Sequence, residues 1–470
     1  MIIAFYIIVS LLVGFSFLLS RRIKSGRDFL VPRDGLPFIM VAFTMAATQF
    51  GSSMLIGGVQ QAQQNSIGQG FWPAVYTILA ASASCFINLF ISPRYRYYGS
   101  SVTPPDFIEY RYGRSRFLRS YHTIVYICSI TCVLVSQFIG FAGIGAALGI
   151  SYRNAIILCA VTVTLLTLGS GMVGVAFTDM LQFAFIIIML VGSTVFSLKK
   201  LVSGGLTLQL LFSERFFPAT GSRAQFWYTA WPMLIGNLFS YEYFMRFMTC
   251  RGEKEAKMAS ASAGVILLIT VIPVALLGAV ANYFYRDADS SVVFGLIIAN
   301  EMPKVFGYLL IAGVLLAILT SADSMLTSLA GMASRDIYGG LLHPDISIND
   351  LVGLKTIAKI SVLFFAVLAG VFAIFFRQIL QITFFFSPLT SGTMFAPMII
   401  GLFWKGANRK GAVASVICAA TAAVLHLSGV ITLFDRVAGP ALIGSIAMIV
   451  FSSILRDRTI QNAGKQVSDD

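Results

Sequence analysis

Charged side chains are scarce in this chain. Only 11% of its 470 residues are Asp, Glu, Lys or Arg, whereas 57% are hydrophobic, and the mean hydropathy is +0.84. A soluble protein covers its surface by keeping about 25% of its residues charged. This composition therefore excludes a water-soluble globular protein and indicates a chain surrounded mainly by lipid.

Histidine and cysteine are also rare. The three histidines lie far apart in sequence, and the six cysteines fall in or beside apolar runs without Cys-x-x-Cys spacing. No metal centre, haem or disulfide framework is expected from this pattern. Motifs for nucleotide binding or nucleophilic catalysis are missing as well. We therefore predict that the protein is not an enzyme and that it uses no organic cofactor.

What the sequence contains is a series of apolar runs of about 20 residues, the length that crosses ~30 Å of hydrocarbon as a helix. Strands of a membrane β-barrel would be about half as long and would alternate in polarity. The sequence predicts an all-α polytopic membrane protein with about 13 transmembrane helices. The predicted spans are 3–20, 38–59, 70–92, 121–146, 153–169, 174–197, 226–248, 257–284, 306–330, 356–376, 379–402, 411–428 and 437–455.

The basic residues alternate between loops. If Met1 is outside the cell, 23 of the 33 Lys and Arg residues lie in cytoplasmic loops and nine in outer loops, while Arg246 is at a helix end. Because Lys and Arg are retained on the cytoplasmic side, we expect an outside N-terminus, a cytoplasmic C-terminus and a location in the plasma membrane, such as a bacterial inner membrane. The net charge of +13 then implies contact with the lipid bilayer and no nucleic-acid partner.

Three acidic residues, Asp179, Glu242 and Asp323, lie inside apolar spans. A carboxylate at the bilayer centre costs at least ~3 kcal/mol on insertion scales, and such residues commonly form ion or proton sites. A buried ion pair between helices is the alternative explanation for each of them.

Small and hydroxyl-bearing residues form a stripe on the ninth span. At about 100° per residue, Ala317, Thr320, Ser321, Ser324 and Ser328 fall along one line of the helix. Hydroxyls in membrane helices often bond back to their own helix or join two helices. Five such positions on one stripe also suit a dehydrated alkali cation held by neutral oxygens.

A cation of this kind needs free backbone carbonyls, which a broken helix supplies where it lines a cavity. The second span is polar and contains glycine at mid-depth, between Ala46 and Gly58. Pro232 with Gly236-Asn237 marks a similar weak point in the seventh span. Helix packing through small residues would also explain these compositions, but we predict that both spans are broken.

These features resemble the sodium/solute symporter family, which includes bacterial proline, galactose and sialic acid symporters and animal glucose and choline transporters. The matching segments follow the family's order from about residue 25 to residue 420. They are 47–58, Thr103-Pro-Pro-Asp-Phe-Ile-Glu-Tyr-Arg-Tyr-Gly113, Gly174-Val-Ala-Phe-Thr-Asp-Met-Leu-Gln182, Arg246-Phe247, 317–324 with Arg335-Asp336-Ile337-Tyr338, and Phe403-Trp404-Lys405 with Asn408.

The resemblance implies a single transport domain, 1–470, built on an inverted repeat of five plus five helices with a broken first helix in each repeat. One extra N-terminal helix and two extra C-terminal helices complete the fold. The implied boundaries are 1–36 for the extra N-terminal helix and its loop, 37–205 for the first repeat, 222–405 for the second, and 406–470 for the C-terminal helices and tail.

The resemblance also implies a sodium site. Its ligands carry over as the backbone carbonyls of Ala47, Phe50 and Ala317 and the hydroxyls of Thr320 and Ser321. A second sodium site, present in part of the family, would use Asp179 and Ser324. Asp179 would otherwise only modulate the first site.

The implied solute cavity lies between the two broken helices, the third and fourth spans, and the eleventh. Glu242 stands where relatives more often have a neutral residue, and three roles are open to it: recognition of an amine, an ion pair with Arg246 one turn further on, or transport of a proton. The implied solute contacts are Gln49, Gly51, Met54, Trp72, Gln137, Tyr241 and Glu242.

The function implied by the resemblance is sodium-coupled symport of a small polar organic solute by alternating access. The solute would be an amino acid, carboxylate, sugar or amine, and no obligatory protein partner is expected. The alternatives are a proton-coupled symporter and a membrane-embedded solute sensor of the same fold. The short tail after the last predicted span favours a transporter over a sensor.

Overall fold

The computed structural model describes residues 35–64, 71–97, 103–169, 172–207, 226–343 and 351–455. Within these ranges the regular elements are helices, and the one strand-like contact is an isolated bridge between Leu36 and Cys250. The predicted all-α class is confirmed. The predicted first span, most of the extra N-terminal region and the tail after residue 455 lie outside the described residues.

The described helices are interspersed with π-helical turns. They are α1 (Phe38–Gln49), a π-helical turn (Ser53–Gly57), α2 (Gly58–Gln64), α3 (Trp72–Tyr97), α4 (Pro104–Tyr112), α5 (Arg116–Ala147), α6 (Tyr152–Gly169), α7 (Met172–Ser203), a π-helical turn (Phe226–Ala230), α8 (Trp231–Asn237), α9 (Tyr241–Thr249), α10 (Glu253–Ile269), α11 (Val271–Phe284), α12 (Val293–Glu301), α13 (Lys304–Gly331), a π-helical segment (Met332–Leu342), α14 (Leu351–Phe375), α15 (Ile379–Thr383), α16 (Ser387–Phe395), a π-helical turn (Ala396–Ile400), α17 (Gly401–Phe403), α18 (Arg409–Leu427) and α19 (Ala438–Ile454).

Every predicted span from residue 38 onward overlaps one or more of these helices. Eight helices of the described residues are long and apolar enough to cross a membrane, and a ninth span results if the bent pair at 38–64 is counted as one. Large apolar side chains point outward along α14, among them Leu363, Phe364 and Phe375, as expected of a lipid-facing surface. The protein is a polytopic membrane protein, whereas the count of 13 helices and the repeat boundaries stay predictions.

The first predicted break is confirmed. The two halves of the span, 38–49 and 53–64, meet at an angle of 48°. The break is held by α5: the backbone N–H of Ser52 donates to Gln137 Oε1 at 2.9 Å, and the Ser52 hydroxyl donates to the Ser136 carbonyl at 2.7 Å. Gly51 permits this approach, because a Cβ at residue 51 would lie 2.5 Å from the same Gln137 oxygen.

The seventh span is interrupted between α8 and α9. Ser240 caps the second half by accepting a hydrogen bond from the Tyr243 N–H at 3.2 Å, the usual role of serine before the first helical turn. The Phe239 carbonyl in the interruption accepts a hydrogen bond from the Tyr126 hydroxyl at 2.5 Å. Tyr126 also belongs to α5, so that helix supports both breaks from points about 16 Å apart along its axis.

A buried charge cluster ties one end of the bundle together. The Arg119 guanidinium, 2% exposed, pairs with Asp106 at 2.9 Å, Glu109 at 2.6 Å and Asp336 at 3.1 Å. Thr103 takes part in the capping box of α4 and donates a hydrogen bond to Asp336 at 2.7 Å. Two of the family-like motifs therefore join α4, α5 and the segment after α13.

Candidate functional site

Two hydroxyls of α13 lie beside the first break. The Ser321 hydroxyl is 3.0 Å from the Ala47 carbonyl oxygen, across the interface between α13 and α1. The Thr320 hydroxyl is 3.0 Å from the Ala317 carbonyl oxygen of its own helix. Phe50 follows α1 directly with a ψ of 50°, outside the helical range. The structure thus places Ser321 of α13 against Ala47 of α1, with Thr320 and Ala317 within about one turn on α13. Phe50 lies at the adjacent break.

The chemistry of this group suits an alkali cation. Its predicted ligand atoms are neutral oxygens, and all five residues are at most 5% exposed. Neutral carbonyl and hydroxyl oxygens are hard donors that bind hard cations in preference to softer transition metals. Among the residues described, no group of three or more His, Cys, Asp or Glu side chains is arranged to hold a metal ion.

A second group of polar side chains lies around Arg246, on α9. The guanidinium donates hydrogen bonds to Thr44 at 3.2 Å, Thr48 at 3.3 Å and Ser324 at 3.1 Å, and it lies 4.0 Å from Asp179. The Thr44 hydroxyl in turn donates a hydrogen bond to the Asp179 carboxylate. The Thr44 hydroxyl therefore links the Arg246 guanidinium to the Asp179 carboxylate.

This arrangement places a fixed cation between the two residues predicted for the second sodium site. A guanidinium remains protonated under all ordinary conditions, and here its terminal nitrogen reaches both Ser324 and Asp179. Within the described residues, no ion pair of 4.0 Å or less joins Arg246 to Glu242. The guanidinium faces α1, α7 and α13, while Glu242 lines a cavity.

The cavity lies between the two breaks and contains about 820 Å³ of space not filled by protein atoms, part of which is open to solvent. Its wall combines hydroxyls, amides, aromatic rings and one carboxylate. The lining residues are Thr48, Gln49, Ser53, Tyr126, Ser129, Ile130, Val133, Pro232, Met233, Gly236, Asn237, Phe239, Ser240, Tyr241, Glu242, Met325, Thr383, Phe384, Ser387, Thr390 and Ser391. They come from the broken helices, α5, α13 and the helices after residue 379. The broken helices, α5 and the eleventh span agree with the prediction, whereas α13 replaces the predicted third span.

Three of the predicted solute contacts, Gln49, Tyr241 and Glu242, line this cavity. The structure places the others elsewhere. Gln137 is 1% exposed and supports the break beside Gly51, and Met54 is fully buried in the π-helical turn. Trp72 stacks on Tyr76 at the start of α3, with ring centroids 4.9 Å apart.

Sequence reasoning did not identify Thr44, Thr48 or Tyr126 as site residues. Thr44 and Thr48 are one turn apart, so their spacing places both hydroxyls on one face of α1. That spacing was a usable signal, because the pair lies next to the predicted break. The hydrogen bond from Tyr126 to Phe239 depends on the packing of α5 against the second broken helix, and no local pattern indicates it.

The fold and the site define a class of protein. Two interrupted helices that flank a polar cavity, with a group of buried neutral oxygens beside one break, are features of secondary transporters. The family model for the sodium:solute symporter family matches residues 29–419, and the chain belongs to that family. It is accordingly a transporter and not an enzyme.

Similar proteins agree with this assignment. The chain is 24% identical to the high-affinity proline transporter PutP of Bacillus subtilis over 98% of both proteins. It is also 24% identical to the sodium/glucose cotransporter of Vibrio parahaemolyticus, over 88% of this chain and 83% of the relative. Among solved structures, a Na⁺-coupled sialic acid symporter in a substrate-bound outward-open state superimposes with a TM-score of 0.76 at 18% identity, over 96% of this chain and 97% of that one.

The fold extends beyond the family. Mhp1, a nucleobase-cation-symport-1 family transporter, superimposes with a TM-score of 0.57 at 12% identity, over 93% of this chain and 98% of that one. Identities this low establish a shared fold and do not identify the solute.

Proposed function

We propose that the protein is a sodium-coupled symporter that imports a small polar organic solute across the plasma membrane by alternating access. The observation that carries this proposal is the contact between the Ser321 hydroxyl and the Ala47 carbonyl at 3.0 Å. It joins α13 to the break in α1 through two oxygens that can both face one cation. A sodium ion bound there would hold the two elements together and bias the conformational equilibrium toward the state with that contact.

We propose one sodium ion for each transport cycle, bound by Ala47, Phe50, Ala317, Thr320 and Ser321. The other acidic and hydroxyl pair, Asp179 and Ser324, is already bridged by the guanidinium of Arg246. A second mobile cation would have to displace that group or share a small space with its positive charge. Arg246 thus supplies permanently the charge that a second ion would bring.

One sodium ion is sufficient to drive accumulation. Its passage across 100 mV releases ~2.3 kcal/mol, and a tenfold sodium gradient adds ~1.4 kcal/mol. The total of about 3.7 kcal/mol supports a concentration ratio of the solute of roughly 500.

The remaining parts of the proposal concern orientation and architecture. The distribution of basic residues supports a multi-pass protein with an outside N-terminus and a cytoplasmic C-terminus. The two interruptions support repeats at 37–205 and 222–405, because each falls in the first span of its repeat. Under alternating access, these broken helices would move relative to the helices that flank them while the sodium and solute sites remain between them.

A proton-coupled symporter is the second candidate, and one observation favours it. Asp179 is 1% exposed, and its Oδ1 atom has no hydrogen-bond partner among the described residues. A buried carboxylate with a free oxygen can accept a proton. In that mechanism, transport would respond to pH at constant sodium and would be insensitive to sodium at constant pH.

The test uses the purified full chain in detergent. We expect its melting temperature to rise with added sodium chloride relative to potassium chloride of the same ionic strength, because a ligand of the folded state stabilises it by about 2.7 kcal/mol at a hundred times its dissociation constant. Equal melting temperatures in both salts, combined with a response to pH, would favour the proton-coupled candidate.

A further inference from the structure

The cavity between the breaks has one ionisable anionic side chain and no cationic one. Of the lining residues in the described chain, Glu242 alone carries a carboxyl, ammonium or guanidinium group. The others offer hydroxyls, amides, aromatic rings and aliphatic groups. A solute that enters this cavity therefore meets a negative electrostatic environment with many neutral hydrogen-bonding groups.

Glu242 is buried, and it interacts with Arg246 one turn further along α9 through charge alone, without a direct ion pair. It is 6% exposed, and no ion pair of 4.0 Å or less involves its side chain in the described residues. Its nearest basic neighbour along the helix, Arg246, is engaged with Thr44, Thr48 and Ser324. A buried carboxylate is costly unless a positive charge or several hydrogen-bond donors meet it.

The start of α9 explains how this carboxylate is tolerated between transport cycles. Glu242 is the second residue of the helix, where the aligned peptide dipoles favour negative charge. That stabilisation is partial, and it leaves the carboxylate able to accept a stronger partner. The same position disfavours an anionic solute, because its negative charge would meet Glu242 at the place where the helix end could otherwise bind it.

Aromatic rings in the cavity wall are also suited to binding an organic cation. Tyr126 and Tyr241 meet edge to face with centroids 5.9 Å apart, and Phe239 and Phe384 are also part of the wall. Aromatic rings attract ammonium groups through their negative faces. We infer that the transported solute carries a positively charged nitrogen and that Glu242 binds this nitrogen directly.

This inference rests on the proposed function, because it takes the cavity as the solute site. The test measures the melting temperature of the purified full chain in saturating sodium chloride with a panel of small probes. The probes with a cationic nitrogen are the cations tetramethylammonium, choline and putrescine and the zwitterion L-proline. The matched probes without a cationic nitrogen are the carbon isostere of choline, cyclopentanecarboxylate and glucose.

We expect at least one cationic probe to raise the melting temperature and its uncharged or anionic match to have no effect. In Glu242→Gln, the concentration of that probe needed for half of the shift should rise at least tenfold. Glu242→Asp keeps the negative charge, so the concentration of the probe needed for half of the shift should rise less than in Glu242→Gln. Glu301→Gln is a control, because it removes a carboxylate that pairs with Lys200 at 2.9 Å outside the cavity, and it should match the parent protein.

Two results would overturn the inference. One is a panel in which no cationic probe stabilises the parent, and the other is a cationic probe that binds Glu242→Gln and the parent equally well. The shift caused by sodium alone checks that each variant is folded. If sodium alone has no effect on the parent, the proposed sodium coupling fails, which is a separate outcome from failure of the solute assignment.

Discussion

Two cation environments lie about one turn apart on α13. At Thr320 and Ser321, the hydroxyls meet backbone carbonyls of α13 and of the break in α1. At Ser324, the hydroxyl accepts a hydrogen bond from Arg246. The first environment consists of neutral oxygens, which we propose bind an ion that can leave, whereas the second contains a cation that is part of the chain.

The difference follows from the acid in the second environment. Asp179 is buried in α7 and would be strongly destabilising without a positive charge nearby. A tethered guanidinium satisfies that requirement in every conformation that keeps α9 near α7. A mobile ion at the first environment would bind and dissociate without leaving a buried charge behind. We therefore propose that the first environment serves coupling and that the second gives structural support.

The largest expected effect is that of Arg246→Gln, which removes the fixed cation. We expect a loss of stability of about 3–5 kcal/mol, the range for breaking a buried charge pair, seen as a lower melting temperature in potassium chloride. Sodium should restore part of the lost stability, because the space vacated by the guanidinium can then accept an ion. That space is lined by Asp179, Thr44, Thr48 and Ser324.

Two controls sharpen this experiment. The double variant Arg246→Gln with Asp179→Asn should regain stability, since neither charge is left alone. Lys200→Gln breaks a partly exposed ion pair with Glu301 and should cost about 1 kcal/mol or less. An Arg246→Gln variant as stable as the parent in potassium would show that the guanidinium does not compensate Asp179.

The next largest effect concerns the first environment. Thr320→Ala with Ser321→Ala removes two predicted sodium ligands and leaves the helix backbone intact. Sodium affinity, measured from the thermal shift, should fall at least tenfold, which corresponds to about 1.4 kcal/mol. Ser193→Ala is the matched control, because its hydroxyl also bonds to its own helix, at 2.6 Å. An unchanged sodium affinity in the double variant would exclude these hydroxyls as ligands.

A smaller effect is expected at the break that supplies the carbonyl ligands. Gln137→Ala leaves the Ser52 N–H without its partner and should destabilise the protein by about 1–3 kcal/mol. Because the position of the Ala47 and Phe50 carbonyls depends on the break, sodium affinity should also fall a few-fold. Loss of stability with no change in sodium affinity would separate the break from the ion site.

The sequence predicted the parts of this architecture that depend on local patterns. Apolar length predicted the spans, and the polar, glycine-containing stretch predicted the break at 50–52. Gly51 shows the physical basis, since a side chain there would collide with Gln137. The hydroxyl stripe on α13 likewise predicted which face of the helix approaches α1.

Contacts between helices could not be predicted as well from the sequence. Spacing within one helix made Glu242 a possible partner of Arg246, but the guanidinium reaches Thr44 and Ser324 on two other helices. The family resemblance implies Gln137 as a solute contact, but the rotation of α5 places this side chain against the break. Such choices depend on how four helices pack together, which no periodicity along a single helix encodes.

The smallest effect on sodium affinity is expected for Asp179→Asn in the parent background. If no second ion binds there, the sodium dependence should remain hyperbolic, and the sodium affinity should stay within about threefold, or 0.65 kcal/mol. Melting curves across a sodium titration provide the measurement. A change from a sigmoidal to a hyperbolic dependence on this substitution would instead identify Asp179 as a ligand of a second ion.

The most direct test of the account is equilibrium binding of radiolabelled sodium to the purified full chain, together with the Thr320→Ala, Ser321→Ala double variant. We predict one saturable sodium ion per chain, a Hill coefficient of about 1, and loss of that binding in the double variant. Two ions per chain with cooperative binding, or one ion that the double variant binds as tightly as the parent, would contradict it.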